Sequence, residues 1–295
     1  MYNSPTVLLK GIQARFLRGL ATTAPSVLSP IVEEANSDSN KEQYILFNHF
    51  GAIKEWTDEI DYSHLEDFDF EIKNKDWQNG FLVDRNTLDD SKKTLGNDVE
   101  REIKFALNSW GNFPDKLVTE ILLAGETALA FDGVALFAEA RPALGDALDN
   151  LINGTGTSVA QIGADVQSAM TALRGFKAKN GDPFNYAPSY LCIIPSHLEW
   201  VFKTVRESVE MASTTNILKG AFDYVVNDYL PQTDDSWFMT NTKSPFKPFI
   251  YQKRKAPMFD MKDENDKKFI KYFTTARSNA GVGNPVSIVK IKDVS

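Results

Sequence analysis

The spacing of apolar positions changes from segment to segment along this chain, and the changes mark its parts. Between Asn97 and Phe131 apolar residues recur as Val99, Ile103, Ala106, Leu107 and Trp110. After Gly111-Asn112-Phe113-Pro114 they resume as Leu117, Val118, Ile121, Leu122 and Leu129. Three-and-four spacing gives a helix one buried stripe. Pro114 lacks a backbone N–H, which is harmless in a first helical turn and disruptive in a helix interior. The pattern therefore predicts two consecutive helices, the second starting near Pro114 with Asp115 set against its N-terminal dipole.

Ahead of this rod the chain reads as thin and extended. Val7 to Leu20 carries one apolar line, Leu8, Ile12, Phe16 and Leu20, and Ala21 to Asn40 holds Pro25, Pro30 and Glu33-Glu34. So little apolar surface cannot fold alone, so these residues are expected to be an arm lying on another surface. From Phe50 to Arg85 the period becomes two: Ile53, Glu55 and Thr57 alternate with Lys54, Trp56 and Asp58, and Phe68, Phe70 and Ile72 alternate with charged residues. Two strands joined near Tyr62 to Glu66 would form a long hairpin. A lone hairpin is marginal in water. One carrying Trp56, Phe68, Phe70 and Trp77 needs a partner surface, which makes these residues candidates for contact with another subunit.

Beyond the rod, helix and strand patterns alternate. Asn153 to Ser158 is a Gly-rich turn feeding an N-cap at Ser158, followed by a helix through Val159, Ile162, Val166, Met170, Leu173 and Phe176 that stops at Asn180-Gly181-Asp182-Pro183. Tyr190 to Pro195 is a continuous apolar strand, and Ser196 with Glu199 forms a capping-box pattern for the next helix. Strands are expected over Tyr224–Tyr229, Trp237–Thr240, Pro248–Lys253 and Lys267–Arg277. Gly281, Gly283 and Pro285 should turn the chain into a last strand, Val286–Ile291. The class is α+β.

Composition narrows the functions. The 295 residues include 24% charged and 42% hydrophobic positions, enough for a sizeable core. A net charge of −8 argues against a dedicated nucleic-acid binder, which needs clustered Lys and Arg. No apolar run reaches the ~18 residues of a membrane span, and Met1 to Pro5 does not open like a signal peptide. Cys192 alone excludes an intrachain disulfide and any multi-Cys metal site.

Chemistry finds little to stand on. His49, His64 and His197 lack partners at metal-ligand spacing, and Gly154-Thr155-Gly156 lacks the third glycine, the lysine and the preceding strand of a phosphate loop. Cys192 and His197 could make a Cys–His nucleophile across a strand-to-helix turn, but a first helical turn disfavours the imidazolium form. Asp67, Asp69 and Glu71 sit at strand spacing and read as a solvated face. The basic run Lys253-Arg254-Lys255 reads as an intersubunit salt-bridge donor or a solvated strand end. No catalytic residue, cofactor or metal is expected.

Several ordered blocks carry a family likeness. They are Phe70-Glu71-Ile72-Lys73-Asn74-Lys75 through Val83-Asp84-Arg85 and Leu88-Asp89-Asp90; Pro114-Asp115-Lys116-Leu117-Val118 through Leu122-Leu123-Ala124-Gly125, with Phe131-Asp132-Gly133 and Leu136-Phe137; and Leu191 to Pro195 with Leu198-Glu199. Trp237-Phe238, Lys247 to Pro257 and Ala276 to Gly283 complete the set. Through these blocks the chain resembles the Mu-like phage major head subunit family. One departure is visible: where the family has a Thr-Asp-His-Pro-like run after the Asp-Gly turn, this chain reads Phe137-Ala138-Glu139-Ala140-Arg141-Pro142.

The resemblance implies the capsid fold shared by tailed phages and herpesviruses. Its parts would be an N-terminal arm (1–47), an extended hairpin loop (48–95), a peripheral domain with a long spine helix (96–157 and 241–295) and an axial α/β domain (158–240). It implies a structural protein of the virion, assembled in the host cytoplasm as hexamers and pentamers into an icosahedral head enclosing double-stranded DNA. Partners would be other copies of itself, a scaffold, a portal and a decoration protein, with packaged DNA touched only non-specifically. Arg85 joins Trp56, Phe68, Phe70, Trp77, Lys253, Arg254 and Lys255 as an intersubunit contact candidate. The alternatives are a nanocompartment shell of the same fold and a Cys192/His197 hydrolase.

Overall fold

The computed structural model describes residues 13–20, 26–47, 55, 67–84, 94–141, 148–178, 181–211, 214–263 and 268–293. Among them the strands are β1 (Val32–Asn36), β2 (Lys41–Phe47), β3 (Asp67–Lys73), β4 (Lys75–Asp84), β5 (Leu151–Asn153), β6 (Tyr190–Ile194), β7 (Glu210–Met211), β8 (Thr214–Thr215), β9 (Asp223–Val226), β10 (Trp237–Asn241), β11 (Phe249–Lys262), β12 (Phe269–Val282) and β13 (Ile288–Lys292). The helices are α1 (13–20), α2 (Thr94–Leu123), α3 (Val159–Gly175) and α4 (Glu199–Glu207). Two sheets dominate: a four-stranded one in the order β1-β11-β12-β4 and a five-stranded one in the order β5-β13-β10-β6-β9.

The two sheets are covered differently. Every residue of β10 is buried. Trp237 and Met239 join α3 and α4 side chains in one core, while Phe238 joins Val118 and Leu122 of α2 in another. Cover on both faces is why β6 and β10 read as continuous apolar runs. In β12, by contrast, Ile270, Tyr272, Thr274 and Ala276 are buried and the residues between them are half-buried. The buried set packs on Ile103, Ala106 and Trp110 of α2, with Phe16 of α1 and Phe259 of β11 filling the same cluster.

Helix α2 serves both sheets, because it does not break at Pro114. The expected pair of helices is one helix, and tertiary contacts on both sides of the proline hold its axis. Upstream, Phe113 packs edge-on to Trp110 and Trp77, with ring centroids at 5.4 and 4.8 Å, and Trp110 Nε1 donates to Thr274 Oγ1 at 2.7 Å. Downstream, Leu117, Val118 and Leu122 are buried.

Asp115 does not meet its own helix dipole either. It lies mid-helix, 4% exposed, and its carboxylate accepts from Ser26 Oγ and from the backbone N–H of Val27 and Leu28 at 3.1 and 3.0 Å. It thereby fixes the segment leading into the 3₁₀ turn Ser29–Ile31, whose Leu28 and Ile31 enter the core beside α2. One turn further along the same face, Asn227 donates to Thr119 Oγ1 at 2.7 Å, tying the end of β9 to the helix.

Other local expectations also meet corrections. β3 pairs antiparallel with β2, Lys41 opposite Lys73 and Phe47 opposite Asp67. The hairpin therefore takes its first limb from residues assigned to the arm, and β4 leaves it to join β12. The expected limb 53–57 and the joint at 62–66 lie outside the described residues, Glu55 excepted. Helix α3 starts with the expected Ser158 cap, a full capping box with Gln161, but ends at Gly175, earlier than Asn180-Gly181-Asp182-Pro183. The Ser196–Glu199 box does not form: Ser196–Leu198 is a 3₁₀ turn, α4 begins without a side-chain cap, and Ser196 Oγ instead accepts from Gln232.

Within the expected arm, β1 runs parallel to β11 inside the four-stranded sheet, and β13, within the expected peripheral span 241–295, lies in the five-stranded sheet beside β10.

Candidate assembly surfaces

The β2–β3 hairpin belongs to neither large sheet, and a polar clamp fixes its base. Single residue Asn74 separates β3 from β4, and Ser37–Asn40 separate β1 from β2. Asn74 N–H donates to the Asn40 carbonyl at 2.9 Å, and its Nδ2 donates to Ser37 Oγ and the Ser39 carbonyl. Glu42 closes the 37–39 turn by accepting from Ser37 Oγ, Asp38 N and Ser39 N at 2.8–2.9 Å. Those donors, the Ser39 backbone first, hold its carboxyl below the ordinary value.

The sheet side of the clamp comes from β11 and β12. Tyr44 Oη pairs with Gln252 Oε1 at 2.9 Å, and Gln252, fully buried, donates to the Ile72 carbonyl. Arg277 Nη2 donates to Asn40 Oδ1 and Asn279 Nδ2 to the Lys73 carbonyl. Tyr44 stacks on Phe70 at 5.3 Å, and burial pushes the Tyr44 hydroxyl pKa up. These clamp residues escaped the sequence reading. The available signal was the turn-prone Ser37-Asp38-Ser39-Asn40 ahead of the strand-rich Tyr44-Ile45-Leu46-Phe47.

The candidate contact residues do not form one site. Trp56 and Arg85 lie outside the described residues, and Phe68 is placed within β3. Phe70 packs in part against the core of the five-stranded sheet. Trp77 is half-buried within its own chain against Phe113, its indole N–H donating to the Ser278 carbonyl at 2.9 Å. Lys253 pairs with Glu34 of its own chain at 2.5 Å. Register shifts after Lys253 and after Lys255 bulge the ladder, Pro257 sits in the second bulge, and Lys255 is exposed.

The Cys192/His197 pairing gains nothing. Cys192 is fully buried in β6, and burial pushes its thiol well above the ordinary range, away from the nucleophilic thiolate. His197 Nε2 instead meets Asp235 Oδ1 at 2.7 Å. Among the described residues no His, Cys, Asp and Glu gather as a metal site and no helix is long and apolar enough to cross a membrane. What the geometry offers is surfaces: an anchored hairpin and a sheet with one covered face.

The chain is similar to known proteins in both sequence and fold. The chain is 23% identical over 283 residues to the Mu-like prophage FluMu major head subunit of Haemophilus influenzae, covering 94% of this chain and 69% of the relative. Among solved structures, a chain of the bacteriophage JBD30 procapsid aligns with a TM-score of 0.54 at 18% identity, over 98% of this chain and 76% of that one. A virus-like particle from Pyrococcus furiosus aligns with a TM-score of 0.61 at 9% identity, over 97% and 99%. The PhiM1 mature capsid gives 0.61 at 10%, over 92% and 88%. At such identities the likeness shows a shared capsid fold. The sequence profile described as "Mu-like prophage major head subunit gpT" matches residues 6–165 and 231–293, and this chain belongs to that family of phage major head subunits.

Proposed function

We propose that this major capsid protein assembles as hexamers and pentamers into an icosahedral head around double-stranded DNA. The observation that carries the reading is the β2–β3 hairpin, clamped at its base and left outside both large sheets. A two-stranded ribbon gains lasting order from a neighbour's surface. In this reading the axial part, around Asp182 to Leu230, packs about the local symmetry axes, the hairpin lies across an adjacent subunit, and the arm ties subunits together. Contacts of standard size bury ~800 Å² per partner, and many such contacts make a durable shell through multivalency.

The net charge of −8 suits a lining that must hold DNA without trapping it. A scaffold would organise assembly in the host cytoplasm, a portal would occupy one vertex, and a decoration protein would bind the finished shell. The JBD30 capsid, one of the similar structures, is decorated with minor capsid protein trimers. Membership in a head-subunit family favours this reading over a nanocompartment shell. Negative-stain microscopy and sedimentation of the expressed chain, alone and with a scaffold supplied, test it. Rings or shells are expected, and a protein that stays monomeric under all these conditions refutes it.

A further inference from the structure

Helix α2 is bonded to a different sheet on each side of its proline. Upstream, Trp110 Nε1 donates to Thr274 of β12, and Ile103 and Ala106 pack on the same four-stranded sheet. Downstream, Thr119 Oγ1 accepts from Asn227 at the end of β9, and Val118 and Leu122 pack with Ile193 and Phe238 of the five-stranded sheet. Pro114 stands between the two anchor points. It has no N–H to give the Trp110 carbonyl four residues back, so the helical ladder is weakest where α2 passes from one sheet to the other. One further element spans this joint. Residues 26–36 start at Asp115, whose carboxylate holds Ser26 Oγ and the Val27 and Leu28 N–H groups. They continue through the core positions Leu28 and Ile31 into β1, which pairs with β11 of the four-stranded sheet. Lys247 Nζ donates to the Pro30 carbonyl and fixes the middle of this strap. The strap therefore bonds the downstream side of the proline to the sheet that already carries the upstream side.

We propose that α2 is a hinge between the two sheets at Pro114, and that Asp115 is the latch that keeps it closed by clasping residues 26–28. The near ends of β11 and β12 also reach the downstream core, through Phe249 and Val282. Such apolar contact is non-directional and lets packed surfaces slide. The clasp is different in kind. Its acceptor is a carboxylate 4% exposed, and charge-assisted hydrogen bonds are the stronger and shorter ones. Three of them meeting on one carboxylate admit a single placement of the strap against the helix. With the clasp made, both halves of α2 are tied to the four-stranded sheet and the helix stays straight through its proline. With the clasp open, the half beyond Pro114 follows the five-stranded sheet through Asn227, and the few residues around the proline absorb the change. Asp115 is thus a positioning residue that sets the angle between the sheets. The inference concerns the single subunit and does not depend on the shell-building reading.

Spin-label distances on full-length, unassembled subunits test it. Gln78→Cys in β4 and Asn153→Cys in β5 are exposed positions that place one label on each sheet, while Cys192, fully buried, stays unlabelled. With Asp115 and Pro114 intact the distance distribution should be narrow. Asp115→Asn should broaden it about two-fold as the hinge is freed. Adding Pro114→Ala, which returns the missing N–H, should narrow it again. Ser26→Ala removes one of the three bonds and should broaden the distribution less, so it carries the test should Asp115→Asn not fold. A latch that merely stabilises the fold would lower the melting midpoint and leave the width unchanged, and that result overturns the hinge. So does a broadening that Pro114→Ala fails to reverse, because the joint would then lie elsewhere. Particle formation is not the readout, so failure of the shell reading and failure of the hinge are scored separately.

Discussion

The two large sheets solve the same problem differently. The five-stranded sheet is sandwiched: Trp237 and Met239 face α3 and α4, Phe238 faces α2, and nothing of β10 meets solvent. The four-stranded sheet is covered by α1 and α2 on one side; on the other, among the described residues, Leu82 of β4 and Met258 of β11 are exposed. A sheet finished within its own chain contributes stability to the subunit. One left half-finished keeps part of its apolar surface for association. Under the proposed function the difference would separate what makes the subunit fold from what makes it assemble.

The comparison is sharpest where the sandwich is cut. Trp237, 1% exposed, meets the Phe202 ring edge-on at 5.0 Å. Trp237→Ala should cost about 5 kcal/mol, because the lost burial is joined by a cavity between two packed layers. Urea denaturation followed by circular dichroism measures it, and a loss below about 1 kcal/mol would mean that this sheet is not the stabilising core.

Next in size is the buried ion pair that organises the loop leaving α2. Arg141 and Asp132 have fully buried side chains, with Arg141 Nη1 2.7 Å from both carboxylate oxygens and Nη2 donating to the Ala135 and Leu136 carbonyls. Burial lowers the Arg141 pKa, and Asp132 opposes the shift. Asp132→Ala strands a buried guanidinium and should cost about 3 kcal/mol or more. The double variant Asp132→Leu/Arg141→Met should recover much of that in the same denaturation assay.

A smaller effect should follow pH. Lys290 and Lys292 each reach Glu126 at 2.7 Å, just past the end of α2, and these hydrogen bonds hold its carboxyl below the ordinary range. The unfolded chain therefore takes up the proton at a higher pH than the folded one. The cluster's contribution is fully present above the unfolded value of about 4.3 and is lost as pH falls through the folded value. Glu126→Gln should lower the urea midpoint at neutral pH, and the gap from the wild type should close in acid. A gap independent of pH would contradict the assignment.

The least change in stability is expected on the bare face. Leu82→Ser should alter folding stability by no more than about 0.5 kcal/mol yet reduce the yield of particles on a sedimentation gradient. A large stability loss there would mean that the face is covered within the subunit after all.

Much of the fold was legible because it is local. The stripe Ile103, Ala106, Trp110 of α2 and the apolar runs of β6 and β10 are written at the period of their element, and the Ser158–Gln161 cap lies within one turn. The apolar pattern likewise marked Cys192 as a buried strand residue. Of the candidate contact residues, Phe70 and Trp77 read as large aromatics needing cover, and they find some of it in their own chain.

What stayed hidden depends on partners far away in sequence. Periodicity alone cannot say that β3 pairs with Lys41–Phe47, that β1 lies parallel to β11, or that Asp115 caps a turn at Val27 and Leu28. The sequence by itself determined which residues avoid water and at what period, and hence the helical rod and most of the strands. Only the tertiary structure decided that the rod runs unbroken through Pro114 and that one sheet is closed while the other keeps an open face. The reason is physical: the conformational cost of one proline is a few kcal/mol, and packing from Trp77, Phe113, Leu117 and Val118 on both sides of it decides the outcome.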